Sequence, residues 1–308
     1  MAKNVALIFP GQGAQKVGMG YEFYQTSPQA KAIFDEADSI CANGLTKVIF
    51  EGPEEKLTST AYCQPAILTT SVAILKSFQA SSKFQNINVK FTSGLSLGEY
   101  SALAASGTIS FADTLRLVQK RALFMEEATK EAKGAMAAVI GFDKVRLIEI
   151  CLLTGAEVAN FNSHEQIVIT GHANKVEAAI EAIKVAGGQK IIPLTVSGAF
   201  HSTLMTDAAH RFSFVLKDVA INPTDIKVIT NVNALPQQDA DLVRNNLAKQ
   251  ITSSVQWVAC MEYIIAQGIT EFIEIGPGKV LKGLMRRINS SVTVHNIEKP
   301  ADIENLNF

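Results

Sequence analysis

Apolar positions follow two rhythms along this chain. Val5, Ala6, Leu7, Ile8 and Phe9 form an unbroken apolar run closed by Pro10-Gly11-Gln12-Gly13, which reads as a buried strand followed by a tight loop. Ser27-Pro28 supplies a helix cap with proline at the first helical position, and Gln64-Pro65 predicts a second helix start, running to about residue 80. Residues 89–93 read as a short strand. The Ala- and Leu-rich segment 97–106 reads as a helix that stops at Gly107. Ser110, with Asp113 three residues on, opens a longer helix to about residue 130 in a weak form of the capping box.

Between residues 134 and 196 the spacing tightens. Strands are predicted over 135–140, 156–160, 166–170 and 190–196, with helices over 143–153 and 174–185. The order β-α-β-β-α-β is the ferredoxin-like pattern. After Ser202 a helix reaches about residue 219, a strand covers 227–231, and two helices end at Gly268. A strand at 272–275, a helix at 278–288 and a strand at 292–297 follow. Alternating strands and helices argue for a mainly parallel sheet covered on both faces. The expected architecture is α/β. It has a large α/β-hydrolase-like domain of residues 1–131 and 198–308, interrupted by a ferredoxin-like (βαββαβ) small domain of residues 132–197.

Composition narrows the function. Of 308 residues, 47% are hydrophobic and 19% charged, enough for a sizeable core. The formal net charge of -1 offers no basic excess for nucleic acid. Cys41, Cys63, Cys151 and Cys260 lie far apart with no C-x-x-C, so reduced thiols are expected and no metal site. The first residues lack the apolar length of a signal segment, and no run is long enough to cross a bilayer. A cytoplasmic, membrane-free protein, expected to be a monomer, fits these features. Two motifs fail on inspection. Lys16 replaces the third glycine of a dinucleotide loop, and Ile273 stands where a phosphate loop needs its first.

Candidate chemistry centres on Gly94-Leu95-Ser96-Leu97-Gly98. A bare G-x-S-x-G also occurs in turns without chemistry. Here a strand precedes it and a helix follows, as in a nucleophile elbow, where a sharp turn exposes the serine oxygen. Side chains in place of either glycine would collide across so tight a turn. A serine hydroxyl needs a base. Of the five histidines, His164, His172, His201, His210 and His295, His201 is favoured because it lies where the small domain returns to the large one. No acidic third member is evident, which leaves a backbone or amide carbonyl to orient the imidazole. Arg121 shares a helix face with Leu117, Val118, Phe124 and Met125, whereas Lys120 lies with Arg116 and Glu127. A guanidinium on an apolar face needs a fixed anion. That anion is either an internal carboxylate or the substrate's.

Five segments carry a resemblance: Phe9-Pro10-Gly11-Gln12-Gly13-Ala14-Gln15, Gly94-Leu95-Ser96-Leu97-Gly98-Glu99-Tyr100, Gln119-Lys120-Arg121, Phe200-His201-Ser202 and Glu274-Ile275-Gly276-Pro277-Gly278. In this order, over residues 7–288, they resemble the malonyl-CoA:acyl carrier protein transacylases of type II fatty-acid synthesis. The resemblance implies Ser96 as the nucleophile that carries malonyl as an ester, with His201 as its base and acid. It implies an oxyanion hole from the backbone N–H groups of Gln12 and Leu97, and Arg121 as the partner of the malonyl carboxylate. It also implies Gln250 as the residue whose main-chain carbonyl orients the histidine, and Gln64, Asn162 and Phe200 as cleft residues. Coenzyme A thioester is then the donor and carrier-protein phosphopantetheine the acceptor, with no bound cofactor or metal.

Leu95 departs from the family's usual histidine, and Ala14 from a frequent serine. Phe200 resembles the residue that related acyltransferases use to select malonyl over an α-methylated unit. Lys279, Lys282 and Arg286 at i, i+3 and i+7 make a basic helix face, suited either to an acidic carrier protein or simply to solvent. Competing functions are a serine thioesterase or esterase, a non-catalytic binding module, and an acyltransferase serving a polyketide assembly line.

Overall fold

The structure is a computed structural model that describes residues 2–42, 44–196 and 198–307. Ser197, in the expected junction between domains, lies outside them.

Among the described residues, nine strands form two sheets. The larger contains β1 (Lys3–Phe9), β2 (Ile87–Gly94), β7 (Lys227–Ile229), β8 (Glu271–Ile275) and β9 (Thr293–Ile297) in the order β7-β2-β1-β8-β9. Every pairing in it is parallel. Central β1 explains its own composition. Val5, Leu7 and Phe9 enter one hydrophobic cluster, while Ala6 and Ile8 enter another on the opposite face. Both faces are covered, so no position tolerates a polar residue.

The smaller sheet contains β3 (Gly134–Ile140), β4 (Glu157–Phe161), β5 (Gln166–His172) and β6 (Lys190–Pro193), ordered β4-β5-β3-β6 and wholly antiparallel. Helices Lys144–Thr154 and Ala173–Val185 pack with it around a core of Val139, Leu147, Ile169 and Ile183. The small sheet is tied to the segment before the helix Trp257–Ala266, where Phe161 N–H donates to Val255 O at 2.9 Å and Val255 N–H donates to Ala159 O at 2.8 Å.

Expected boundaries shift in three places. The second expected helix starts at Thr60, not at Gln64-Pro65, and runs to Gln79 with Pro65 inside. The proline forfeits one backbone bond, but every residue over 63–75 is buried, and that burial outweighs the loss. Strand β6 stops at Pro193, although Leu194 N–H still donates to Met136 O at 2.9 Å. Strand β7 stops at Ile229 because Asn231 turns its N–H to Glu99 Oε2 at 2.9 Å. Among the described residues, no helix is long and apolar enough to cross a membrane.

Glu274 of β8 is fully buried and accepts from Leu281 N–H at 2.9 Å and Lys282 N–H at 2.8 Å. It thereby satisfies free donors at the start of the helix Val280–Ile288. Replacing Glu274 by Ala should lower stability by about 1–3 kcal/mol, because one buried and one part-buried N–H group lose their acceptor. A fall in the midpoint of urea unfolding at unchanged slope checks this.

Candidate active site

Ser96 sits between β2 and the helix Gly98–Ser106 with φ 53, a left-handed conformation rare outside glycine. The turn is held by close backbone approach. A Cβ at Gly94 would lie 2.0 Å from the backbone of Gly98, and one at Gly98 would lie 2.2 Å from Phe9 O. Asn231 locks the elbow further. Its Oδ1 accepts from Ser96 N–H at 2.7 Å, and its Nδ2 donates to Gly94 O at 2.8 Å. Since the Ser96 N–H is engaged there, the next amide, Leu97, is the one left at the helix start to face a developing oxyanion.

Ser96 Oγ lies 2.8 Å from His201 Nε2. On the other side of the ring, Nδ1 lies 2.8 Å from the main-chain oxygen of Gln250. A carbonyl only accepts, so Nδ1 carries the proton and Nε2 presents its lone pair to the serine. His201 also has a positive φ, 59. Both partners of the Ser–His pair therefore hold backbone strain of about 1–3 kcal/mol each, sustained by the surrounding packing. Burial, reinforced by the charge of Arg121, pushes the imidazole down to about 4, against the backbone hydrogen bonds that favour its protonated form. The ring is neutral at physiological pH, as a base must be.

Arg121, in the helix Phe111–Glu131, is 1% exposed. Its Nη1 donates to Gln64 Oε1 at 2.6 Å. Its Nη2 donates to Ser96 Oγ and to Gln250 Oε1, each at 3.1 Å. The guanidinium lies over the Tyr100 ring, 5.3 Å from its centroid, and its Nε is buried without an acceptor. No carboxylate among the described residues forms an ion pair with it. The Glu99 carboxyl acts on it electrostatically and is held off by an amide. Gln250 Nε2 donates to Glu99 Oε2 at 2.6 Å while Gln250 Oε1 faces Arg121.

A cavity of about 160 Å³ between the two sheets is walled by Ser96, Arg121 and His201, with Gln12 and Leu97 on one side and Phe200 on the other. Asn162 also lines it. Of the expected cleft residues, Gln64 does not reach the wall and stands fully buried behind Arg121. The remaining histidines lie elsewhere. His164, His172 and His210 are exposed, and His295 contacts Glu271 at 2.8 Å. Asn231 and the buried acceptor role of Glu99 were not anticipated. The only advance signal was a polar Thr230-Asn231 pair at the end of an apolar strand. All four cysteines are buried and free.

Residues 6–301 match the family described as acyl transferase domain. The chain belongs to that family. It is 44% identical over 98% of its length to the malonyl CoA-acyl carrier protein transacylase of Bacillus subtilis (strain 168), covering 95% of that protein. Among solved structures, an acyl-carrier-protein-S-malonyltransferase from Bartonella henselae superposes with TM-score 0.93 at 38% identity, over 99% of this chain and 98% of that one. A type II PKS acyl-carrier protein in complex with its malonyl-transacylase gives TM-score 0.94 at 35% identity, over 98% of each chain. Members of this acyltransferase family transfer acyl groups, and the Ser96–His201 pair beside a buried guanidinium is suited to that chemistry.

With the folded imidazole below its unfolded value, stability declines as pH falls from about 6.5 toward 4, where only the unfolded chain gains the proton. Acyl-enzyme formation at saturating donor should change no more than about twofold between about pH 8 and 5.5, since the base stays neutral throughout. A rate limb near pH 6.5 in stopped-flow acylation would instead indicate a solvated histidine.

Proposed function

We propose that this chain moves a malonyl group from malonyl-CoA to the phosphopantetheine thiol of an acyl carrier protein through a malonyl ester on Ser96, supplying fatty-acid biosynthesis. One observation carries the reading: a buried guanidinium touches the hydroxyl of the elbow serine and, among the described residues, pairs with no carboxylate. A carboxylate delivered with the thioester would complete its planar fork.

His201 Nε2 takes the Ser96 proton as Oγ attacks the thioester carbonyl. The oxyanion meets the N–H groups of Leu97 and Gln12, each worth about 2.7–4 kcal/mol in such sites. The C–S bond breaks, and the imidazolium returns its proton to the departing thiolate. The carrier's thiol then takes the acyl group by the reverse sequence. Gln250 holds the imidazole through its main-chain oxygen, in the place of an acidic third member. Phe200 on the cavity wall leaves little room for an α-methyl group, a clash that discriminates by about 1–3 kcal/mol.

A groove of about 470 Å³ shares Gln12, Leu95 and Asn162 with the cavity and is flanked by Lys279, Arg286 and Arg287. Its connection to the cavity suits a pantetheine arm, and the exposed basic face of Lys279, Lys282 and Arg286 suits an acidic carrier. We read residues 132–197 as a ferredoxin-like unit inserted into an α/β-hydrolase-like domain of residues 1–131 and 198–308. The β4-β5-β3-β6 order supports this reading. A cytoplasmic monomer that meets its carrier transiently completes the proposal.

Intact-protein mass spectrometry after mixing with malonyl-CoA should show one malonyl adduct, lost on adding carrier protein. Ser96→Ala should show none, and a persisting adduct would remove the serine from its role. Arg121→Ala should lose malonyl transfer by about two to three orders of magnitude, the scale of a lost buried charge pair, and should come to prefer acetyl-CoA. An unchanged preference would reject the carboxylate assignment.

A further inference from the structure

Arg121 poses a problem of charge. An isolated guanidinium in so dry a place is costly, yet a carboxylate bound directly to its fork would compete with the substrate. Glu99 stands between these extremes. It is 1% exposed and lies one amide away, joined to Arg121 through Gln250, whose Oε1 accepts from Nη2 and whose Nε2 donates to Glu99. We propose that Glu99 is a positioning residue that serves as the resident anion of Arg121 in the empty site and surrenders its charge, by taking a proton from solvent, when the acyl group's carboxylate arrives. The inference rests on the malonyl reading above and adds to it a residue that acts through Gln250.

Geometry permits the exchange. Both hydrogen bonds to Glu99, from Asn231 N–H and from Gln250 Nε2, fall on the single oxygen Oε2. A proton on the other oxygen leaves both intact, so Gln250 keeps its orientation and the imidazole keeps its carbonyl. Charge is conserved across the step. The empty site holds one guanidinium and the Glu99 carboxylate. The loaded site holds the guanidinium, the malonyl carboxylate and a neutral Glu99. Burial already pushes the Glu99 carboxyl up to about 7, against those two hydrogen bonds and the field of Arg121, and a second anion at the same guanidinium raises it further.

The titratable groups facing Glu99 are few. Arg121 of the helix Phe111–Glu131 is the cation; Tyr100 beside it and Cys260 of the helix Trp257–Ala266 are held neutral by burial. Cys63 of the helix Thr60–Gln79 points to Gln15, 3.1 Å away. Lys3, Lys90 and Lys227 of β1, β2 and β7, and Lys76 of the helix Thr60–Gln79, are exposed. His201, bonded to the main-chain oxygen of Gln250, is also freed from part of the Arg121 field when an anion arrives, so uptake has two acceptors to separate, and Glu99→Gln removes only the first.

Acylation itself is proton-neutral near pH 7: the Ser96 O–C bond forms, the C–S bond breaks, and the serine proton leaves on the CoA thiol. Mixing enzyme with malonyl-CoA in weak buffer at about pH 7 with an indicator dye, while acyl-enzyme is counted by mass, isolates the effect. The expected result is uptake of a substantial fraction of one proton per malonyl-enzyme in the wild type and clearly less in Glu99→Gln. The carboxamide oxygen of that variant can keep both hydrogen bonds, so only the charge is removed. Full acyl-enzyme without uptake, or uptake undiminished in Glu99→Gln, overturns the inference and leaves the malonyl reading standing. Failure to form any acyl-enzyme overturns both. Should Glu99→Gln not fold, the infrared difference spectrum of wild type loaded with carbon-13 malonyl-CoA decides. A new protonated-carboxyl band supports the exchange, and its absence rejects it.

Discussion

A positive charge sealed in a dry interior constrains everything around it. Arg121 is met by neutral amide oxygens, an aromatic face and the hydroxyl of Ser96. Two of those partners, Gln250 and Ser96, have a second duty. Gln250 accepts from the guanidinium with its side chain while its main-chain oxygen sets the His201 tautomer. Ser96 touches both the guanidinium and the imidazole. The buried guanidinium and the imidazole are thus parts of one hydrogen-bonded unit assembled from four segments. Members of such networks couple, and the effect of losing two is not the sum of losing each.

Much of the frame was legible in the chain itself, for identifiable reasons. The run Val5 to Phe9 had to be a buried strand because each of its sides meets a separate apolar cluster. Gly94 and Gly98 marked the elbow because only backbone atoms lie where their side chains would be. Arg121 stood out because its helix neighbours are apolar. The partners of these residues were less visible. Gln250, 129 positions from Arg121, reaches it only through the fold. Asn231 and Gln250 lie more than a hundred positions from Ser96 and Glu99, so the network that joins them has no local signature. Pro65 misled because a local breaker was overridden by the burial of an entire helix.

Electrostatics links the site to the scaffold in a second way. Glu274, in the E-I-G-P-G segment, is buried like Glu99, and burial likewise pushes its carboxyl up to about 7. Its partners are amides at the start of a helix, whereas those of Glu99 are an amide and a side chain that touches the catalytic pair. Two buried acids in one chain thus serve different ends, and the difference lies in what their neighbours do next.

The seam at Val255 has a mechanical meaning. Two main-chain bonds join it to Ala159 and Phe161 of the antiparallel sheet, so any outward swing of that sheet either breaks them or turns about them. Displacement grows with distance from a pivot. Asn162, next in sequence to the joined strand, is anchored beside that seam, whereas Leu194 and Val196, which also line the cavity, lie on the segment that leads to His201.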